Sequence, residues 1–212
     1  MTRKANGKMS EALIITPLYD REAPDGLAIS MSEVADRGMI DLRGLPGDKK
    51  FMAAAKAALG LDLPTTPRTS AANGDTVCLW MSPDQWLIVC PRKAVDGLLA
   101  RLNAGLEGIF SLAVDMSDAR SIIRLEGERV RETLMKGSSI DFTQEGYGAG
   151  TVRRMLFGEI AAMVHVVSEK PDVFHLMVFR SYAHHAWDWI EATAMKGSEV
   201  EFLSSAEAPA VV

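Results

Sequence analysis

The sequence is poor in the features that most quickly assign a protein. Two cysteines in 212 residues, Cys78 and Cys90, are too few for a disulfide framework or a cysteine-based zinc site. There is no excess of positive charge. The formal net charge is −5, which speaks against a nucleic-acid partner. No apolar run approaches the roughly 18 residues that a membrane span needs. The opening MTRKANGKMS is basic with no apolar stretch behind it, which predicts no secretory signal. A P-loop is lacking, and EGYGAGT (Gly146, Gly148, Gly150) follows a polar loop and precedes a β-type run. A dinucleotide fingerprint would open a helix instead. These absences point to a cytoplasmic chain with no cofactor of its own and no membrane.

What is present is ordinary for a globular fold: 48% hydrophobic and 24% charged residues. Mean hydropathy is slightly positive, with 12 methionines. A large core or a buried subunit interface would each account for that.

Two stretches echo one another. SPDQWLIVCPR (82–92) and KPDVFHLMVFR (170–180) both read Pro-Asp-x-aromatic, then an apolar run, then Arg. Around the first, GMIDLRG (38–44) reads as a strand, and Phe51, Ala54, Ala55, Ala58 and Leu59 share a helix face. LDLPTTPRTSAANGD (61–75) reads as a loop, and TVCLWM with QWLIVC as a hairpin about Pro83. Val95, Leu98, Leu99, Leu102 and Leu106 form a second helical stripe. GIFSLAVDM (108–116) closes the unit as a strand.

The second half repeats the order. ARSIIRLEG (119–127) is a strand, and Glu128–Lys136 a helix with Val130 and Leu134 inward. TVRRMLFGEIAAMVHVV and DVFHLMVF form a hairpin, followed by a helix over 181–195 and a last strand, SEVEFL (198–203). The expectation is an α+β protein made of two ferredoxin-like β-α-β-β-α-β units in tandem. Its divisions would be a tail with a first short strand (1–25), units at 26–116 and 117–203, and a flexible tail at 204–212.

Candidate functional residues fall in four groups. If Val167 pairs with Val173, His165 faces His175. Two histidines without a third ligand read as a hydrogen-bonded pair, and His184 and His185 diverge by about 100° on one helix. Cys78 and Cys90 suit facing positions on their hairpin, as small reduced apolar side chains. Asp115, Asp118 and Arg120 in DMSDAR suit two roles, a charged anchor for a partner or a turn whose carboxylates cap backbone N–H groups. On the last helix, Ala183, Trp187, Ile190 and Ala194 form a core stripe. Trp189 lies about 200° from Trp187, on a second stripe with Tyr182, Ala186 and Thr193. Either a partner covers Trp189 and Tyr182, or another segment of the same chain does.

The same stretches carry a family resemblance. DMSDARSIIRLEGERVRETLMKGSSIDF (115–142) resembles the middle of the gamma subunit of heterotetrameric sarcosine oxidase. SPDQWLIV (82–89) and RSYAHHAWDWIEA (180–192) resemble two further signatures of that family, so the likeness runs over roughly 26–196. The family in turn resembles the folate-binding aminomethyltransferases, which share the duplicated fold. The resemblance implies a complex that demethylates sarcosine oxidatively to glycine, produces hydrogen peroxide and passes the one-carbon unit to tetrahydrofolate. It implies FAD, FMN, NAD, zinc and tetrahydrofolate on the other chains, alpha (folate-binding), beta and delta, and no active site on this one. The alternative is a stand-alone folate-binding aminomethyltransferase-like protein. Asp75 in NGDTV sits near the place of that family's catalytic carboxylate, with neighbours that depart from its pattern, and the second half has no Lys-Gly-Cys-Tyr motif.

Overall fold

In the computed structural model, residues 15–200 are described. Ten strands and four α-helices form two five-stranded antiparallel sheets, each covered on its outer face by two helices. The expected repeat is there, with changes at its edges.

The first sheet has the order β3-β4-β5-β2-β6: Ser70–Asn73, Thr76–Ser82, Gln85–Pro91, Arg37–Gly44 and Ser111–Asp115. Helix α1 (Lys49–Leu59) starts where the Asp48 carboxylate accepts the N–H groups of Lys50 and Phe51, at 2.8 and 3.4 Å. It stops at Gly60, whose φ of 70° suits a residue without a Cβ. Helix α2 (Val95–Gly105) lies beside it. Period-2 burial then sorts the strands: Ile40, Leu42, Trp86 and Ile88 pack with Phe51, Ala55, Leu98 and Leu102.

The second sheet has the order β1-β7-β10-β9-β8: Ser30–Glu33, Arg120–Glu126, Asp172–Phe179, Ile160–Glu169 and Val152–Phe157. Helices α3 (Val130–Gly137) and α4 (Ala183–Ala194) cover it, with Leu134, Trp187 and Ile190 in a core with Ile123, Val164 and Phe174. The inner faces of the two sheets meet in a third cluster, built on Met39, Leu79, Leu87, Val89, Ile122, Met163 and Met177. Four of the twelve methionines, Met39, Met81, Met163 and Met177, lie in this seam, where an unbranched side chain fills gaps between two twisted sheets.

Three expectations change. The 61–75 segment is not all loop, since β3 pairs with β4. The run 151–167 is two strands, not one. Gly158 and Glu159, with φ of 52° and 71°, form a two-residue turn between Phe157 and Ile160. Nor does SEVEFL close the second sheet: 198–200 carry no strand, and 201–203 lie outside the described residues. That edge is taken by β1, antiparallel to β7 with Ser30 opposite Glu126. Residues 30–33, expected within the first unit, thus belong to the second sheet. The flexible tail expected at 204–212 and residues 1–14 of the expected N-terminal tail fall outside the described residues, and 15–25 carry no strand.

Candidate partner interface

A row of exposed apolar side chains lies along β6. This strand pairs with β2 on one side, with Leu112 opposite Arg43 and Val114 opposite Asp41. Its other edge has no strand beside it among the described residues. Leu112 and Val114 share the inner face with Met39, yet the second sheet does not reach this far. Phe110 is 88% exposed and Leu112 47%, and Val114, Met116 and nearby Leu45 are also exposed. Soluble proteins usually guard such an edge with charge. Here the one charged residue of the strand, Asp115, turns its carboxylate back to accept the Ser117 N–H at 2.9 Å. A cleft of about 390 Å³ opens beside the stripe, lined by Leu45, Phe110 and Leu112 and by the Arg43–Asp84 ion pair at 3.0 Å. The Ser82 hydroxyl and then Arg43 hold the Asp84 carboxyl below the usual carboxylate range.

The residues singled out in DMSDAR separate. Asp118 does not pair with Arg120 but receives two hydrogen bonds from Arg92, at 3.1 and 2.8 Å. This contact raises the Arg92 pKa and lowers that of Asp118. Arg120 lies over the Phe179 ring, 4.3 Å from its centroid. Both side chains line a cleft of about 280 Å³. Asp115 serves the turn, as the capping alternative required. Tyr182 is exposed and shares a shallow depression with Asp118, Phe179 and His184.

Trp187 is 1% exposed, as its stripe required. Trp189, two turns beyond Tyr182, is half-buried. Its ring meets Phe157 edge-on at 6.4 Å, and Gly158 sits so close that a Cβ there would come within 2.9 Å of the indole. The β8–β9 turn of the same chain therefore covers much of it. Helical geometry could not reveal that cover, because the turn was read as the middle of a strand.

His165 does face His175, though not in the expected register. Val173 lies opposite Ser168, and a bulge before Phe174 brings the histidines together, with ring centroids 6.3 Å apart. Burial pushes both down to about 4, so they are neutral at pH 7. Ser70 donates to the Gly150 carbonyl at 2.9 Å, so its oxygen accepts from His165 Nε2 at 3.1 Å. That assigns the Nε2–H tautomer. The two rings line a cavity of about 170 Å³ that Asp75 also borders from the β3–β4 turn. Asp75 is exposed, and its carbonyl accepts from Arg37 at 3.2 Å. Among the described residues, no three His, Cys, Asp or Glu side chains are grouped to hold a metal. Cys78 and Cys90 are free and buried, but they are not opposite one another: Cys78 faces Ile88. Burial raises both thiol pKa values, which makes them poor nucleophiles. No helix among the described residues is long and apolar enough to cross a membrane.

Comparison with known proteins bears on what this surface serves. Residues 43–196 match the model of the sarcosine oxidase, gamma subunit family. The chain is 27% identical to the sarcosine oxidase subunit gamma of an Arthrobacter species, over 77% of this chain and 78% of that one. Its fold matches a chain of the heterotetrameric sarcosine oxidase from Corynebacterium sp. U-96 with a TM-score of 0.79 and 24% identity, covering 90% of this chain and 99% of that one. The glycine cleavage system aminomethyltransferase T of Bartonella henselae matches at a TM-score of 0.56 and 12% identity, over 77% of this chain and 45% of that one. The second of these structures bears out the expected likeness of fold to the aminomethyltransferases.

Proposed function

From the premise that the chain belongs to the sarcosine oxidase gamma subunit family, we propose that it is a non-catalytic subunit that docks through β6 onto the large folate-binding alpha subunit. The carrying observation is the row Phe110, Leu112, Val114 and Met116 on an edge strand whose one charged residue, Asp115, is engaged with the Ser117 N–H. An apolar row of this kind beside an open strand edge suits a partner that is always present. The complex would demethylate sarcosine to glycine and hand the one-carbon unit to tetrahydrofolate, with beta and delta subunits completing it. FAD, FMN, NAD, zinc and folate belong to those other chains in this reading. The glycine run at 146–150 supports it, because it leads into β8 and offers no helix N-terminus to a pyrophosphate. A cytoplasmic setting suits the two reduced, buried cysteines.

The stand-alone aminomethyltransferase reading has less behind it. It needs Asp75 as a carboxylate in a folate site, and Asp75 stands on an exposed turn. Co-expression with the alpha, beta and delta subunits, followed by purification on a tag carried by this chain, tests the proposal. The expected result is recovery of all four chains in constant ratio. Assembly of the other three into an active complex that leaves this chain behind would overturn it.

A further inference from the structure

The seam between the sheets ends in a second cleft, of about 280 Å³, that the docking surface does not use. Residues 34–36, between β1 and β2, line it together with Ser117 and Asp118, between β6 and β7, and Thr16 and Pro17 close one side. Four arginines line it: Arg37, Arg92, Arg120 and Arg180. Three of them have acceptors. Arg92 holds Asp118 through two hydrogen bonds. Arg37 donates to the Asp75 carbonyl at 3.2 Å, and Arg180 to the Ile15 carbonyl at 2.7 Å. Arg120 has neither a hydrogen-bond acceptor nor an ion pair among the described residues. It is half-buried against Phe179, and the nearby charge of Arg154 has the same sign. Asp41, the carboxylate across the seam, acts on Arg120 through its charge but does not hydrogen-bond to it, one of its oxygens accepting from the Gln85 amide at 2.8 Å. A guanidinium so placed has its donor fork free for an oxyanion.

The walls narrow the choice of anion. Pro17, Val34 and Ala35 contribute apolar surface above the buried Met39 and Ile122, which an inorganic anion cannot use. The cleft also holds Glu33, Asp36 and Asp118, so a second negative charge on the ligand would meet repulsion. We propose that this cleft binds a small organic monocarboxylate, its carboxylate on the Arg120 guanidinium and its short apolar body against Pro17 and Val34.

Titration calorimetry on the full chain at fixed ionic strength tests this, with butyrate as probe and inorganic phosphate as comparison. The expected result is one saturable butyrate site that Arg120→Met weakens about tenfold or more, the loss of one charge-assisted contact. Phosphate should bind at least about tenfold more weakly than butyrate, by the same reasoning on charge. Ala35→Trp, at the exposed lip of the cleft, keeps the test alive if Arg120→Met fails to fold, and it too should weaken butyrate. Absence of saturable binding would overturn the proposal. So would butyrate affinity unchanged in either variant, or phosphate binding as tight as butyrate.

Discussion

Replacing Phe110 with Ala separates what the β6 row does for the fold from what it does for assembly. Burying a phenylalanine side chain completely is worth about 1.5–3 kcal/mol. At 88% exposure, Phe110 realises roughly an eighth of that in the free chain, so Phe110→Ala should cost about 0.2–0.4 kcal/mol. For a chain of this size that lowers the melting midpoint by about 1 °C. In the complex the ring would be covered, and a central aromatic anchor is typically worth about 2 kcal/mol or more, near 30-fold in Kd. Melting curves of the isolated variant and pull-down of the co-expressed alpha subunit give both numbers. Leu112→Ser should weaken recovery of the partner likewise but cost more in the free chain, about 0.8–1.5 kcal/mol, since about half of its side chain is covered there. A drop of more than about 5 °C in the free Phe110→Ala chain, or undiminished recovery of the partner, would show that the row packs inside this polypeptide.

The other predictions concern the interior. Trp187→Ala should destabilise the chain by about 3–5 kcal/mol, as an emptied aromatic site in a core usually does. Trp189→Ala should cost about 1–2 kcal/mol, because half of its ring packs on Phe157 and Gly158; denaturant titration of both variants checks the order. The buried histidines make stability depend on pH. Their folded values, about 4, lie below the ordinary 6.5, so the unfolded chain binds more protons between those limits. The contribution is complete above pH 6.5 and fades as pH falls towards 4, by on the order of 2 kcal/mol for each ring. His165→Gln, which keeps a donor for Ser70, should flatten the fall in urea stability between pH 7.5 and 4.5. An equal fall in both proteins would mean that other groups set the acid limit.

The repeat was legible because its signals are local. The apolar runs QWLIVC and DVFHLMVF, the helical stripes and the Pro-Asp turns each act within a dozen residues, and the pairings of β4 with β5 and β9 with β10 follow from them. What escaped was decided by distant neighbours. Ser30–Glu33 is too short and polar to announce a strand, and only the open edge of β7 gives it a partner. Phe110, Leu112, Val114 and Met116 alternate plainly, yet their exposure depends on where the second sheet stops. Trp189 looked free because a helix says nothing about a turn some thirty residues earlier in the chain. Asp118 and Arg120 were placed together by sequence and then parted, since Arg92 arrives from the other half of the repeat and takes the carboxylate.

The exchange at β1 also has a consequence in time. Ser30 leaves the ribosome well before its partner Glu126 exists, a delay on the order of 5–20 s at about 5–20 residues per second. The first sheet draws all its strands from residues 37–115 and can close during that interval. Meanwhile β1 waits outside it, a strand made early for a sheet still being synthesised. A chain interrupted after β6 would therefore release a finished half-molecule with a loose strand attached, and the second half expressed alone would lack one edge. Synthesis order separates the two repeats in time, and the pairing of β1 with β7 ties them together afterwards, although either has helices and strands enough to look self-sufficient.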